Sequence, residues 1–169
     1  MFDSIGNMPL HPLVIHAAVI GIPLAVLLAV LFAVPRTRNW TRWPLAVVSV
    51  GALGATFVSK ESGEELQRAL PFEAGTPVAT LIERHSQLAE QLLIMMVIFA
   101  VLAVATAVVV SRGDKSDMSV PHRALNVGLP VLLLVAGLLV SSWVYRVGDI
   151  GSRAVWNPEG IQNYSNSHR

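Results

Sequence analysis

The sequence predicts an all-α, four-helix transmembrane bundle, and three observations carry that prediction. Of 169 residues, 53 % are hydrophobic and only 14 % charged, whereas a soluble surface needs roughly 25–35 % charged residues. Such a chain cannot cover its apolar content in water. Four stretches, 12–34, 44–59, 91–111 and 124–145, contain no Lys, Arg, Asp or Glu. A helix crosses a bilayer in about 20 mostly apolar residues. Aromatic residues bracket two of these runs: Trp40 and Trp43 precede the second, and Trp143 and Tyr145 close the fourth, where interfacial anchors usually sit. The whole of 1–169 reads as a single integral membrane domain.

Each span has its own logic. Pro12 suits the first helical position of span one and leaves His11 near the N-cap. Asp3 and no base precede this span, while Arg36, Arg38 and Arg42 follow it, which is the charge order of an anchor rather than of a cleaved signal. The second run is short, but Lys60, Glu64 and Arg68 continue it at the helical i,i+4 spacing. Thr76 followed by Pro77 reads as an N-cap and first helical residue, and Thr80 with Glu83 fits a capping box, so helix three starts near 77. Pro23 and Pro130 interrupt spans one and four. Gly51, Gly54 and Ala55 in span two and Gly128, Ala136, Gly137 and Ser141 in span four suit close helix packing. No internal repeat is visible.

Charge gives the direction. Segments 35–43 and 111–123 share one side and crowd Arg36, Arg38, Arg42, Arg112, Lys115 and Arg123 into short loops, which makes them cytoplasmic. Both termini and the 60–90 connection are then extracytoplasmic. A net charge of +1 supplies no field for nucleic acid. The absence of cysteine excludes disulfides, iron–sulfur ligation, thiolate metal sites and covalent c-type haem. No nucleophile–base pair is recognisable, so an electron carrier or subunit is expected before a stand-alone enzyme.

The histidines carry the functional signal. His11 and His16 open span one, and His85 lies just before the apolar run of span three, so three of five histidines reach one membrane face. His85 falls on the apolar stripe of its helix with Leu88, Leu92 and Met96, and an inward polar group in a membrane bundle needs a partner. His11 and His16 stand about 140° apart around a regular helix, so both cannot serve one centre. His16 is deeper and harder to leave unpaired, which favours it over His11. His16 and His85 are thus the expected axial ligands of a b-type haem, with His11 beside them and Lys60, Arg84 and Arg146 as cations for the propionates. Two other readings use the same residues. Three histidines with Glu61, Glu64, Glu83 or Asp149 could hold Zn²⁺ or Cu²⁺. Histidines that only cap helices and hydrogen-bond across the bundle would make the chain a cofactor-free structural or assembly subunit of a membrane complex.

Leu10-His-Pro-Leu-Val-Ile-His16 at the head of the first span resembles the signature of the bacterial membrane family catalogued as domain of unknown function 2231. His85 opening the third helix, Arg123 and Asn126 opening the fourth, and Val144 to Arg153 closing it also match, so the resemblance covers nearly the whole chain. Ala17 and Ala18 stand where that pattern has an aromatic residue and Pro. The resemblance implies a four-helix protein of the bacterial cytoplasmic (inner) membrane, associated with Rieske-type or cytochrome-type redox modules. The expected task is electron transfer between a quinone pool or cytochrome and a redox partner. The expected partners are the lipid bilayer, a redox protein, a quinone and further copies of the chain.

Overall fold

The computed structural model describes residues 4–5, 8–70, 73, 75–110 and 120–161, without the side chains of the first ten residues, of residue 13 and of 120–123. A two-stranded antiparallel ribbon, β1 (Ser4–Ile5) and β2 (Met8–Pro9), precedes four helices: α1 (Leu10–Ala33), α2 (Arg38–Ala69), α3 (Pro77–Val109) and α4 (Val120–Trp156). The helices alternate in direction and pack in a ring, α1 on α2, α2 on α3, α3 on α4 and α4 back on α1. All four are long and apolar enough to cross a membrane. The start of α1, the end of α2, the start of α3 and the end of α4 therefore share one end of the bundle.

The helices are longer than the uncharged runs that announced them. α2 begins at Arg38, so Trp40 and Trp43 lie within its first turns and stay exposed. It continues through Lys60, Glu64 and Arg68, and Glu64 pairs with both cations, at 2.6 Å and 3.2 Å. α3 starts at Pro77 as expected, with the Thr76 hydroxyl accepting from the Ala79 amide at 3.3 Å. The capping box expected of Thr80 and Glu83 does not form. Thr80 is already helical, and its hydroxyl donates to the Thr76 carbonyl. α1 begins at Leu10, which puts Pro12 within the first turn, where its missing N–H has no intrahelical acceptor to lose.

At the end opposite the termini the interior is closed. Phe32, Phe99, Met96 and Leu133 are fully buried together with Ala25, Ala29 and Ala103. Met96 is thus core, as its depth below His85 implied. Two arginines finish the helix ends here. Arg38 donates to the carbonyls of Phe32 and Ala33 at the end of α1, at 3.2 Å and 3.5 Å. Arg42 reaches from α2 to the carbonyls of Ala107 and Val108 at the end of α3. The last carbonyls of a helix lack partners and carry the negative end of its dipole, so a guanidinium satisfies both needs.

Burial on α1 does not sort by size. Ala18, Ala25 and Ala29 face the interior with Ile22, Leu28 and Phe32, while Val19, Leu27 and Val30 are 52 %, 53 % and 47 % exposed. Lipid solvates large apolar side chains as well as a protein core does, so small residues mark the face where backbones approach. Gly21 follows this rule, with an added Cβ falling 3.3 Å from the Ala52 Cβ, and Gly137 packs on Val26 and Phe99. Gly51, Gly54 and Gly128 do not: among the described residues nothing lies within 4 Å of a Cβ there.

Candidate functional site

A cavity of about 540 Å³ occupies the end of the bundle where the chain begins and ends, within the size range of small-molecule and cofactor sites. All four helices line it. Its floor is apolar, at Ile22 and Leu92, and its mouth lies at Leu70, Val78 and Val155. Among the described side chains, α1 contributes nothing above His11, whereas α2, α3 and α4 run on for roughly 10–15 Å past the histidine level at 1.5 Å rise per residue. The outer part of the cavity is therefore walled by three helices.

Two imidazoles enter it from α1 and α3, and each is held by the helix that follows. His11 Nδ1 lies 2.8 Å from the Ser59 carbonyl of α2, and His85 Nδ1 lies 3.0 Å from the Val147 carbonyl of α4. A carbonyl only accepts, so both Nδ1 atoms carry the proton and both Nε2 atoms keep their lone pair. Neither Nε2 has a hydrogen-bond partner among the described residues. One turn beyond each accepting carbonyl is a glycine against the ring. A Cβ at Gly63 would stand 3.0 Å from His11 Cε1 and 3.1 Å from Nδ1; a Cβ at Gly151 would stand 3.0 Å and 3.1 Å from the same atoms of His85. Glycine inside a helix costs about 1 kcal/mol relative to Ala, and here the ring takes the space that a side chain would fill. The α1–α2 and α3–α4 hairpins thus build the same half-site twice. This is the internal repeat that the sequence does not display.

The pairing differs from the expected one. His16 does not reach the cavity. It is exposed on the outer surface of α1, and its Nδ1 donates to the Pro12 carbonyl of its own helix at 2.7 Å. The rotation of about 140° between the two histidines points His11, not His16, inward. The depth argument failed because a helical His can satisfy itself on the carbonyl one turn earlier. His85 faces the interior as expected.

Of the three expected cations, Lys60 alone lines the cavity, 18 % exposed and bound to Glu64 and Glu61. Arg84 is exposed and outside it. Arg146 also points outward and covers the Trp143 ring at 4.6 Å, while Trp143 Nε1 donates to Gln91. Asp149 pairs with Arg153 at 3.1 Å. His122 and His168 lie outside the described side chains. Among the described residues no group of three or more His, Asp or Glu is placed to hold a metal ion.

Residue reasoning missed Gly63, Gly151 and the carbonyls of Ser59 and Val147. A signal existed for Gly63: a lone glycine inside the charged helical segment Lys60–Glu65, where only a close neighbour offsets its cost.

A family model described as "Predicted membrane protein (DUF2231)" matches residues 7–162, and the chain belongs to that family. It is a multi-pass membrane protein with four apolar helices. No curated protein and no solved structure matches it.

Proposed function

We propose that this DUF2231 member is a b-type haem protein for electron transfer, with His11 and His85 as the residues that would hold the haem iron. The observation that carries the reading is the pair of equivalent imidazoles in one cavity, each with Nδ1 on a backbone carbonyl and Nε2 without a partner among the described residues. Neutral imidazole binds iron through the nitrogen that bears no proton, and a carbonyl on the other nitrogen fixes ring orientation and raises its basicity. Among the described residues the donor set is two nitrogens, which fits an iron already held in a macrocycle better than a bare ion. Gly63 and Gly151 let the rings lie against the helices, and the apolar floor at Ile22 and Leu92 keeps water from the deep side. Haem bound there supplies reversible one-electron transfer between a quinone pool or cytochrome and a redox protein of cytochrome or Rieske type.

The crowding of Arg36, Arg38 and Arg42 around the α1–α2 connection supports a cytoplasmic position for that end of the bundle. The cavity and both termini then face the outside of a bacterial inner membrane. An absorption spectrum of the full chain purified in detergent, from cells supplied with haem, tests the reading. A Soret band that sharpens and shifts on dithionite reduction is expected. If no haem co-purifies and none binds on addition, the reading falls and a cofactor-free subunit takes its place.

A further inference from the structure

The two half-sites share a frame but not a chemistry. One constant shift along the chain carries Ser59 to Val147 and Gly63 to Gly151, the two positions that hold the rings. The same shift carries the other cavity positions of α2 onto cavity positions of α4. Thr56 corresponds to Val144, Lys60 to Gly148, Glu64 to Ser152, Leu66 to Ala154 and Gln67 to Val155. Leu66 and Ala154 are both apolar, and each of the other four positions is larger in hydrogen-bonding capacity on α2 than on α4. Thr56 and Ser152 already spend their hydroxyls on the Ala52 and Asp149 carbonyls, at 2.8 Å each. The polar difference therefore rests on Lys60, Glu64 and Gln67, and Lys60 is the single cation lining the cavity among the described residues.

From this asymmetry, and resting on the haem reading, we infer that the occupant is held in one orientation, its carboxylate edge along α2 at Lys60 and its apolar edge along α4. Haem b has that character, with both propionates on one edge and only alkyl and vinyl groups opposite. The histidine frame cannot make the choice, because it is the same on both sides. Lys60 is free to make it. Its Nζ rests on Glu64 Oε1 at 2.6 Å, but the other oxygen of that carboxylate meets Arg68 at 3.2 Å. When Lys60 turns to a ligand carboxylate, Glu64 keeps a cationic partner and no buried charge is stranded. A neutral or apolar edge in the same place would face the Lys60–Glu64 pair and Gln67 without adding a partner to them, whereas Gly148 and Val155 present only apolar surface to it. Lys60 is thus a positioning residue for the occupant and not a ligand of its iron.

The test titrates the full chain, purified from haem-starved cells, with haem b and with haem b dimethyl ester, whose propionates are capped. Soret absorbance reports binding. The wild-type chain should bind the ester roughly tenfold to a hundredfold more weakly, the range a charge-assisted hydrogen bond provides. Lys60→Gln should bind both compounds alike, and Lys60→Arg should retain the preference. Moving the charge, with Lys60→Gly and Gly148→Lys in one chain, should restore a preference from the opposite side. Equal affinity of the wild-type chain for the two compounds overturns the orientation, whatever the variants do. A failure of both compounds to bind overturns the haem reading itself, and the orientation with it.

Discussion

The α1–α2 hairpin and the α3–α4 hairpin reach one geometry from unlike sequences. In the first, the histidine is the second residue of its helix, followed by Pro12, and its acceptor belongs to a serine. In the second, the histidine stands two turns inside a helix that already has a capped start, and its acceptor belongs to a valine. The common elements are an imidazole, a backbone carbonyl and a glycine one turn on. A carbonyl is available at any residue type, so only the histidine and the glycine constrain the sequence. The difference teaches that the site is specified by backbone approach more than by side-chain identity, and that the more deeply embedded half should be the firmer one.

The largest effects should come from removing the rings. His85→Ala and His11→Ala should each abolish low-spin haem in the absorption spectrum. The His11 variant should retain more weakly held, high-spin haem, because the His85 half is supported on both sides by long helices. Equal retention by the two variants would show the halves to be energetically alike, and an unchanged low-spin spectrum in either would remove that residue as a ligand.

Filling the glycine seats should have an intermediate effect with two opposite signs. Gly63→Ala and Gly151→Ala should raise helix stability by about 1 kcal/mol. They should also displace the ring by overpacking, at a cost of about 1–3 kcal/mol, or roughly tenfold to a hundredfold in haem affinity. Thermal unfolding of the haem-free chain and Soret titration separate the two. Affinity unchanged in both variants would mean that the rings move aside at no cost.

The smallest effect is expected at His16. Its replacement by Ala should leave the spectrum as it is, since its Nδ1 is satisfied within α1 and its ring lies on the outer surface. Loss of haem in this variant would reverse the assignment of the first ligand.

Most of the fold was legible, and the reason is physical. Uncharged runs and loop charges report the passage from water to lipid directly, and the cap at Thr76 and the charged extension of α2 follow from local chemistry. What the sequence hid was the inward side of α1. Depth favoured His16, but a helical His satisfies its Nδ1 on the carbonyl one turn earlier, so depth does not report which side of the helix faces inward. His85 was readable because Glu83 and Arg84 beside it announce the exposed face of α3. The duplication was invisible because Ser59 and Val147 share only a carbonyl, and the cations at Arg84 and Arg146 were misplaced because membrane-face position says nothing about rotation.

The contacts of Arg42 can also be read as an order in time. A membrane chain is made from its N-terminus, so donors placed early wait for acceptors that arrive late. Arg38 closes the end of α1 as soon as the first turn is made, and His11 finds Ser59 once α2 is in place. Arg42 belongs to that first hairpin but serves the end of α3, so the early half carries a ready-made stop for the next helix to emerge. His85 waits longest, since Val147 lies near the end of the last helix. The hydrogen bond of the first half-site thus lies wholly within the first hairpin, while that of the second is complete only when synthesis is nearly over.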